Sequence, residues 1–144
     1  MLTVEEIDKG TVIDHIPSGK GLKVLELLKL AHESFEGRVA LVMNVPSKKL
    51  GRKDIVKVEG TFIDEKDASR IALVAPEATI NIIKGGKVAE KNTVRFPKEL
   101  TGIIKCPNPK CITNHERALT HFHAHKNGIR CMHCERLYTP EELQ

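Results

Sequence analysis

The sequence predicts an α+β protein built in two units, and three observations carry that prediction. Over the first ninety-odd residues the apolar pattern switches between a period of two and a period near 3.6, the signatures of strands and helices. The order of those segments is that of one antiparallel sheet with two helices on one face. All four cysteines of the 144-residue chain lie in its last third, in two close pairs. The expected division is residues 1–96 and residues 97–144.

The elements follow in order. "GTVIDHI" alternates and predicts a first strand, with Asp14 and His15 at its end, just before Pro17. In "GKGLKVLELLKLA", Leu22, Leu25 and Leu28 recur at spacing three, and Val24, Leu27 and Ala31 widen the stripe. That is an amphipathic helix. "RVALVMNV" is β-rich and apolar, which reads as a central strand, and "DIVKVEG" alternates again. Asp64 is placed to cap the helix "EKDASRIALVA", which Pro76 follows. "ATINIIK" and "KVAEKNTVRF" flank Gly85-Gly86, a hairpin turn. The order is βαββαβ with one further strand, a split βαβ sandwich of the ferredoxin-like kind. "PKELTGIIK" reads as the join to the second unit, and neither internal repeats nor low-complexity segments occur.

The cysteines are spaced C-x4-C and C-x2-C: Cys106 and Cys111, then Cys131 and Cys134. Two close pairs separated by a loop suit a tetrahedral thiolate site. Pro107, Asn108 and Pro109 stiffen the first knuckle. Four thiolates leave zinc no open position, so the site is expected to be structural, with one Zn2+ per chain in a small zinc-ribbon (rubredoxin-like) β domain. Two disulfides are the alternative, and they suit a secreted protein. Iron accepts the same four sulfurs. The segment of about 48 residues is near the size at which a domain needs such a staple. Within it, "LTHFHAHKNGIRC" predicts a hairpin turning at Asn127-Gly128. Alternation puts His121, His123 and His125 on one face. Alternate strand residues lie about 6.6–6.8 Å apart, wide for chelation. That face therefore reads as a polar or partner-contacting surface. His133, inside "CMHC", is not expected to be a ligand.

Composition narrows the function. No apolar run is long enough to span a bilayer, and the start "MLTVEEIDKG" lacks a basic, then apolar, leader pattern. A cytoplasmic protein without membrane contact is expected. The net charge of +4 is mild, and aromatics make up only 3%. Such a surface offers few platforms for stacking bases. A nucleic-acid-binding ribbon, suggested by the His/Lys-rich hairpin, is the competing class, and its mark would be a steep salt dependence. "GRKD" and "PSGKG" are too short and misplaced for a phosphate loop. Asp14-His15 is half of an acid–base pair, but no motif supplies a nucleophile. Lys53, Lys57 and Lys91 with Asp14, His15 and an Asn make a weak nucleotide signal: lysines attract phosphates and a carboxylate accepts from ribose.

Taken together, "GTVIDHIPSGKGLKVLELLKL", "NVPSKKLGRKDIVKVEGTF", "ALVAPEATINIIKGGKV" and "CPNPKC…CMHC" resemble the regulatory chain of aspartate carbamoyltransferase, in the same order over nearly the whole sequence. The resemblance implies a non-catalytic adapter of pyrimidine synthesis. Its N-terminal unit would bind nucleoside triphosphates and pair with a second copy, with CTP and UTP inhibiting and ATP activating. Its zinc unit would dock on the catalytic chain, two catalytic trimers being bridged by three regulatory dimers, with no part for nucleic acid. Carried over by motif, Val4, Glu5 and Ile7 would meet base and ribose largely through backbone groups. Asp14 would accept from the ribose, Lys57 would reach ribose and base, and His15 and Lys91 would reach the phosphates. Lys53 and Asn81 would line the phosphate side or a neighbouring nucleotide position, and Ile83 and Val88 would sit beside the base. Some relatives carry an aromatic residue where this chain has Gly85-Gly86, so base contacts there fall to the backbone.

Overall fold

The structure, a computed structural model, describes residues 6–30 and 35–144. Among them run strand β1 (Gly10–Pro17), helix α1 (Gly21–Leu27), strands β2 (Val39–Ser47) and β3 (Gly51–Glu59), helix α2 (Glu65–Val74), and strands β4 (Thr79–Lys84) and β5 (Lys87–Thr93). These five strands form one antiparallel sheet in the order β2-β3-β1-β4-β5. A second sheet orders β6 (Glu99–Thr101), β7 (His121–His125), β8 (Gly128–Cys131) and β9 (Leu137–Tyr138) side by side. The fold class is thus the α+β arrangement expected. No helix among the described residues is long and apolar enough to cross a membrane.

Alternation explains which face of the first sheet is buried. Ile13, Val56, Val58 and Ile80 point to the side where α1 and α2 lie, and pack with Val24, Leu25, Ile71 and Ala72. Val12, Asp14, Ile55, Lys57 and Asn81 take the opposite face by the same alternation. Helix α2 starts as its sequence requires: the Asp67 N–H donates to the Asp64 carboxylate at 2.8 Å. At Gly85 and Gly86 both φ angles are positive, 62° and 75°, which a tight two-residue hairpin demands.

Four elements differ from expectation. Helix α1 is only seven residues long. Lys29 takes φ 57° and Leu30 N–H closes back on the Leu25 carbonyl, so the chain turns left-handed and the helix stops. Its buried stripe is Gly21, Val24 and Leu25, flanked by Leu28, while Leu22 is 51% exposed, one step off that face; Ala31 lies outside the described residues. Strand β2 is an edge, not central. It carries Pro46 and a bulge with Asn44 at φ 62°, both tolerated where one side of the ladder is open. "PKELTGIIK" contributes β6 rather than serving as a bare join. In the β7–β8 hairpin, His125 faces Gly128, so Lys126 and Asn127 form the turn and not Asn127-Gly128.

Gly128 is needed for another reason. Its φ is 144°, and a Cβ there would stand 2.8 Å from the Tyr138 carbonyl oxygen. Gly128→Ala is expected to destabilise the second sheet by about 1–3 kcal/mol, read as a lower thermal midpoint. An unchanged midpoint would mean that β9 moves aside without cost.

The two units touch. Leu73, at the end of α2, joins the cluster of Leu100, Ile104, Phe122, Ile129, Tyr138 and Leu143. Arg70 Nε donates to the Ile103 carbonyl at 3.2 Å, and Gln144 Nε2 to the Leu73 carbonyl at 3.0 Å.

Candidate metal centre and sheet face

The four cysteines, distant in sequence, converge because β7 and β8 bring the second knuckle under the first. Their sulfurs all lie within 4.8 Å of one another. Cys106 and Cys134 Sγ are 3.7 Å apart, Cys111 and Cys131 Sγ 3.8 Å. Bonds of about 2.3 Å to a tetrahedral ion set sulfurs about 3.8 Å apart, so the spacing matches a thiolate-held metal. It is far too long for a disulfide, and all four are free thiols. The donor set therefore fits a metal ion, with every position taken by sulfur.

Local hydrogen bonds hold the knuckles. Asn108 Oδ1 accepts from Lys110 N–H at 3.0 Å, and its carbonyl accepts from Cys111 N–H at 3.0 Å. Asn114 Nδ2 donates to the carbonyls of Cys106 and Asn108. Thr113 and Tyr138 set hydroxyls against Cys111 and Cys106 sulfur, at 3.2 and 3.5 Å. Glu135, at φ 64°, closes the second knuckle through its N–H to the Cys131 carbonyl. None of these supports was foreseen from the sequence except the Asn108 turn. His133 Nε2 contacts the Leu119 carbonyl instead of the cluster. Burial pushes the Cys131 thiol up to about 12. Burial acts on Cys134 too, but the Arg136 N–H and the Asn108 side chain outweigh it and hold Cys134 at about 6. Four thiolates converging at this spacing need a cation to offset their charge.

The first unit gathers the other candidates on the sheet face away from the helices. Register aligns Lys57 of β3, Val12 of β1, Asn81 of β4 and Lys91 of β5 in one row across four strands. Two residues along β1, Asp14 accepts from Lys53 Nζ at 2.9 Å. Asp14 and His15 do not end β1 but form a bulge inside it, with His15 at φ 58° and its Nδ1 3.2 Å from Thr79 Oγ1. Ile83, on the same face, is buried, whereas Val88 is exposed in the edge strand β5. Ile7 and Lys57 line a hollow of about 190 Å³ with Glu6, Val39, Ala40 and the Arg38–Glu59 ion pair. That volume suits a base or ribose rather than a whole triphosphate. Val4 and Glu5 lie outside the described residues.

A larger cleft, about 840 Å³, lies elsewhere, between the helices and the cysteine knuckle. Its walls include Glu26, Arg70, Ile104, Pro107 and His115. It contains none of the expected nucleotide contacts and marks the seam between the units.

Sequence also missed Asp54, which is fully buried. Its carboxylate accepts from the N–H groups of Gly19 at 3.0 Å, Gly21 at 2.8 Å and Asn44 at 2.8 Å. It fastens the turn into α1 and the bulge of β2 to the strand that carries Lys53 and Lys57.

Comparison with known proteins finds matches along nearly the whole chain. Residues 2–95 match the family model described as aspartate carbamoyltransferase regulatory chain, allosteric domain, and residues 98–144 match its metal binding domain. The regulatory chain of Pyrococcus abyssi is 56% identical over 99% of this chain and 95% of its own length. That of Pyrococcus horikoshii is 57% identical with the same coverage. That of Saccharolobus islandicus is 52% identical over 99% of this chain and 91% of its own length. With both units matched and identity sustained end to end, this chain belongs to the aspartate carbamoyltransferase regulatory chain family, a non-catalytic chain with an allosteric and a metal-binding domain.

Proposed function

We propose that the chain binds CTP, UTP and ATP on the open face of its five-stranded sheet and passes their effect to the catalytic chain of aspartate carbamoyltransferase through a zinc-stiffened C-terminal unit. The observation that carries this reading is the row of Lys57, Asn81 and Lys91, flanked by Asp14, His15 and Lys53. These side chains come from four strands and suit one elongated anion with a ribose. A lysine–phosphate pair is worth up to about 4 kcal/mol at about 4 Å and an effective dielectric near 20, before desolvation. The hollow beside Ile7 and Lys57 would take base or ribose, and Lys91, His15 and Lys53 the phosphates. Lys53 already faces Asp14, so a phosphate there must compete with a carboxylate. Val4 and Glu5 remain part of the proposed pocket.

Zinc is the ion the four cysteines would hold. It would supply a rigid, redox-inert foot, since four thiolates leave no site for water. The half-exposed edge β2, with Met43 45% exposed, suits pairing with a second copy of the N-terminal unit. Two catalytic trimers bridged by three such dimers, in the cytoplasm, complete the proposed assembly. Inhibition by CTP and UTP and activation by ATP then require that each nucleotide bind one quaternary state better than the other.

Calorimetry of the zinc-loaded chain with each triphosphate tests this. Lys57→Ala and Lys91→Ala are each expected to weaken binding about tenfold or more, with zinc content unchanged. No heat of binding from any of the three would remove the effector role, and unchanged affinity in both variants would move the pocket off this face.

A further inference from the structure

We infer that Glu99, His121 and His123 form a second metal site, for a divalent transition-metal ion, on the solvent face of the β6–β7 pair. The backbone spacing of His121 and His123 argues against chelation, but their side chains lean together. The rings meet edge to face with centroids 4.8 Å apart, and the two Nε2 atoms are 3.2 Å apart. Glu99 is the cross-strand partner of His123, so its carboxylate rises on the same face. One of its oxygens lies 3.2 Å from His123 Nε2 and the other 3.8 Å from His121 Nε2.

The two short contacts are close to the donor–donor edge of a coordination polyhedron, and the third, to the other Glu99 oxygen, is longer. One donor atom from each of the three side chains lies within 4.8 Å of the others. Bonds of about 2.0–2.1 Å from imidazole nitrogen and carboxylate oxygen to a tetrahedral ion place donors about 3.3–3.4 Å apart. Two imidazoles and one carboxylate converging on a point select zinc, cobalt, nickel or copper over magnesium or calcium, which prefer all-oxygen shells. Side-chain exposures of 39% for His121, 31% for His123 and 59% for Glu99 leave the site open to water and to ion entry. At least one position would remain for water or an outside ligand. Arg130, opposite His123 on β8, would oppose a cation, but its guanidinium is turned to the Glu135 carbonyl at 3.3 Å. His125 stands further off, with its ring 6.2 Å from that of His123. Occupancy would tie β6, the first strand of the C-terminal unit, to β7, on a face separate from the four sulfurs.

The test is cobalt titration of the full chain already loaded with zinc, followed by visible absorption and by equilibrium dialysis. The expected result is one further Co2+ per chain, with ligand-field bands and no thiolate-to-cobalt charge transfer. His123→Gln and Glu99→Gln should each weaken that equivalent by at least about 10–100-fold while retaining the original zinc. His125→Gln should leave it unchanged. Absence of a second equivalent would mean a hydrogen-bonded cluster without an ion. Charge-transfer bands would mean exchange at the cysteines. A second equivalent indifferent to both variants would lie elsewhere. Each of these three results overturns the inference.

Discussion

Cys131→Ser is expected to unfold the C-terminal unit and release its metal. The reason is that core and metal centre are one cluster. Cys106, Cys111 and Cys131 are themselves buried among Leu100, Phe122, Ile129 and Tyr138. A core of this size supplies only about 3–5 kcal/mol, whereas a structural metal ion held by four thiolates contributes more, about 10–16 kcal/mol of apparent binding energy in the case of zinc. Removing one of four thiolates removes most of the larger quantity and leaves three sulfurs, buried or nearly so, without their partner. Hydrogen exchange should therefore lose protection across β6 to β9, and docking on the catalytic chain should go with it. The N-terminal unit has its own core and should keep its fold and its proposed nucleotide affinity. It will not be untouched, because Leu73 loses its cover and the Arg70–Ile103 and Gln144–Leu73 hydrogen bonds break. A modest fall in its thermal midpoint is expected. Protected amides in β7 and β8 of metal-free Cys131→Ser protein would show that the small core stands alone. Loss of all structure would show that the two units fold as one.

The contrast between these units also explains what the sequence could convey. Local chemistry was legible wherever it acts over a few residues. The Asp64 cap, the Gly85-Gly86 turn and the paired cysteines each name their own geometry. Strand β2 was not, because an apolar run reads alike whether it is flanked on both sides or left half exposed at an edge. Pro46 was the available signal, since proline cannot donate to an inner ladder. The short helix α1 escaped because its end is set by the left-handed Lys29, which no residue type in the stretch announces. The sheet face of Lys57, Asn81 and Lys91 depends on strand order and register, properties of the whole sheet. Family resemblance brought these residues together before spacing could. The convergence of His121 and His123 was hidden for a different reason: distance along the strand is not distance between side-chain tips.

Asp54→Ala is expected to cost the N-terminal unit about 3–5 kcal/mol, a large part of a typical total stability of about 5–15 kcal/mol. In "GRKDIVKVEG" the residue looks like an ordinary polar position at a strand's start. In the structure it has no exposed surface and accepts three backbone hydrogen bonds from two other segments. Alanine would leave the buried Gly21 N–H unsatisfied and free the Asn44 N–H at the bulge. Water can reach Gly19, which is exposed, but Gly21 is packed so closely that a Cβ there would meet Leu41 at 2.6 Å and the Asp54 carboxylate at 2.9 Å. Asp54→Asn should fall between wild type and alanine, because an amide keeps one acceptor oxygen but turns an NH₂ toward a donor. Asp64→Ala, at an exposed cap, should cost only about 1 kcal/mol and serves as the scale. Urea unfolding of the metal-loaded chain, followed by circular dichroism, measures all three. A loss for Asp54→Ala no greater than that for Asp64→Ala would mean that water replaces the carboxylate. Asp54→Asn also links the fold to the proposed effector binding. Lys53 and Asp54 are neighbours on β3, one facing Asp14 and the other pinning the turn that follows β1. Loosening that pin lets the Asp14–His15 bulge drift, so nucleotide affinity should drop in Asp54→Asn even where most molecules remain folded.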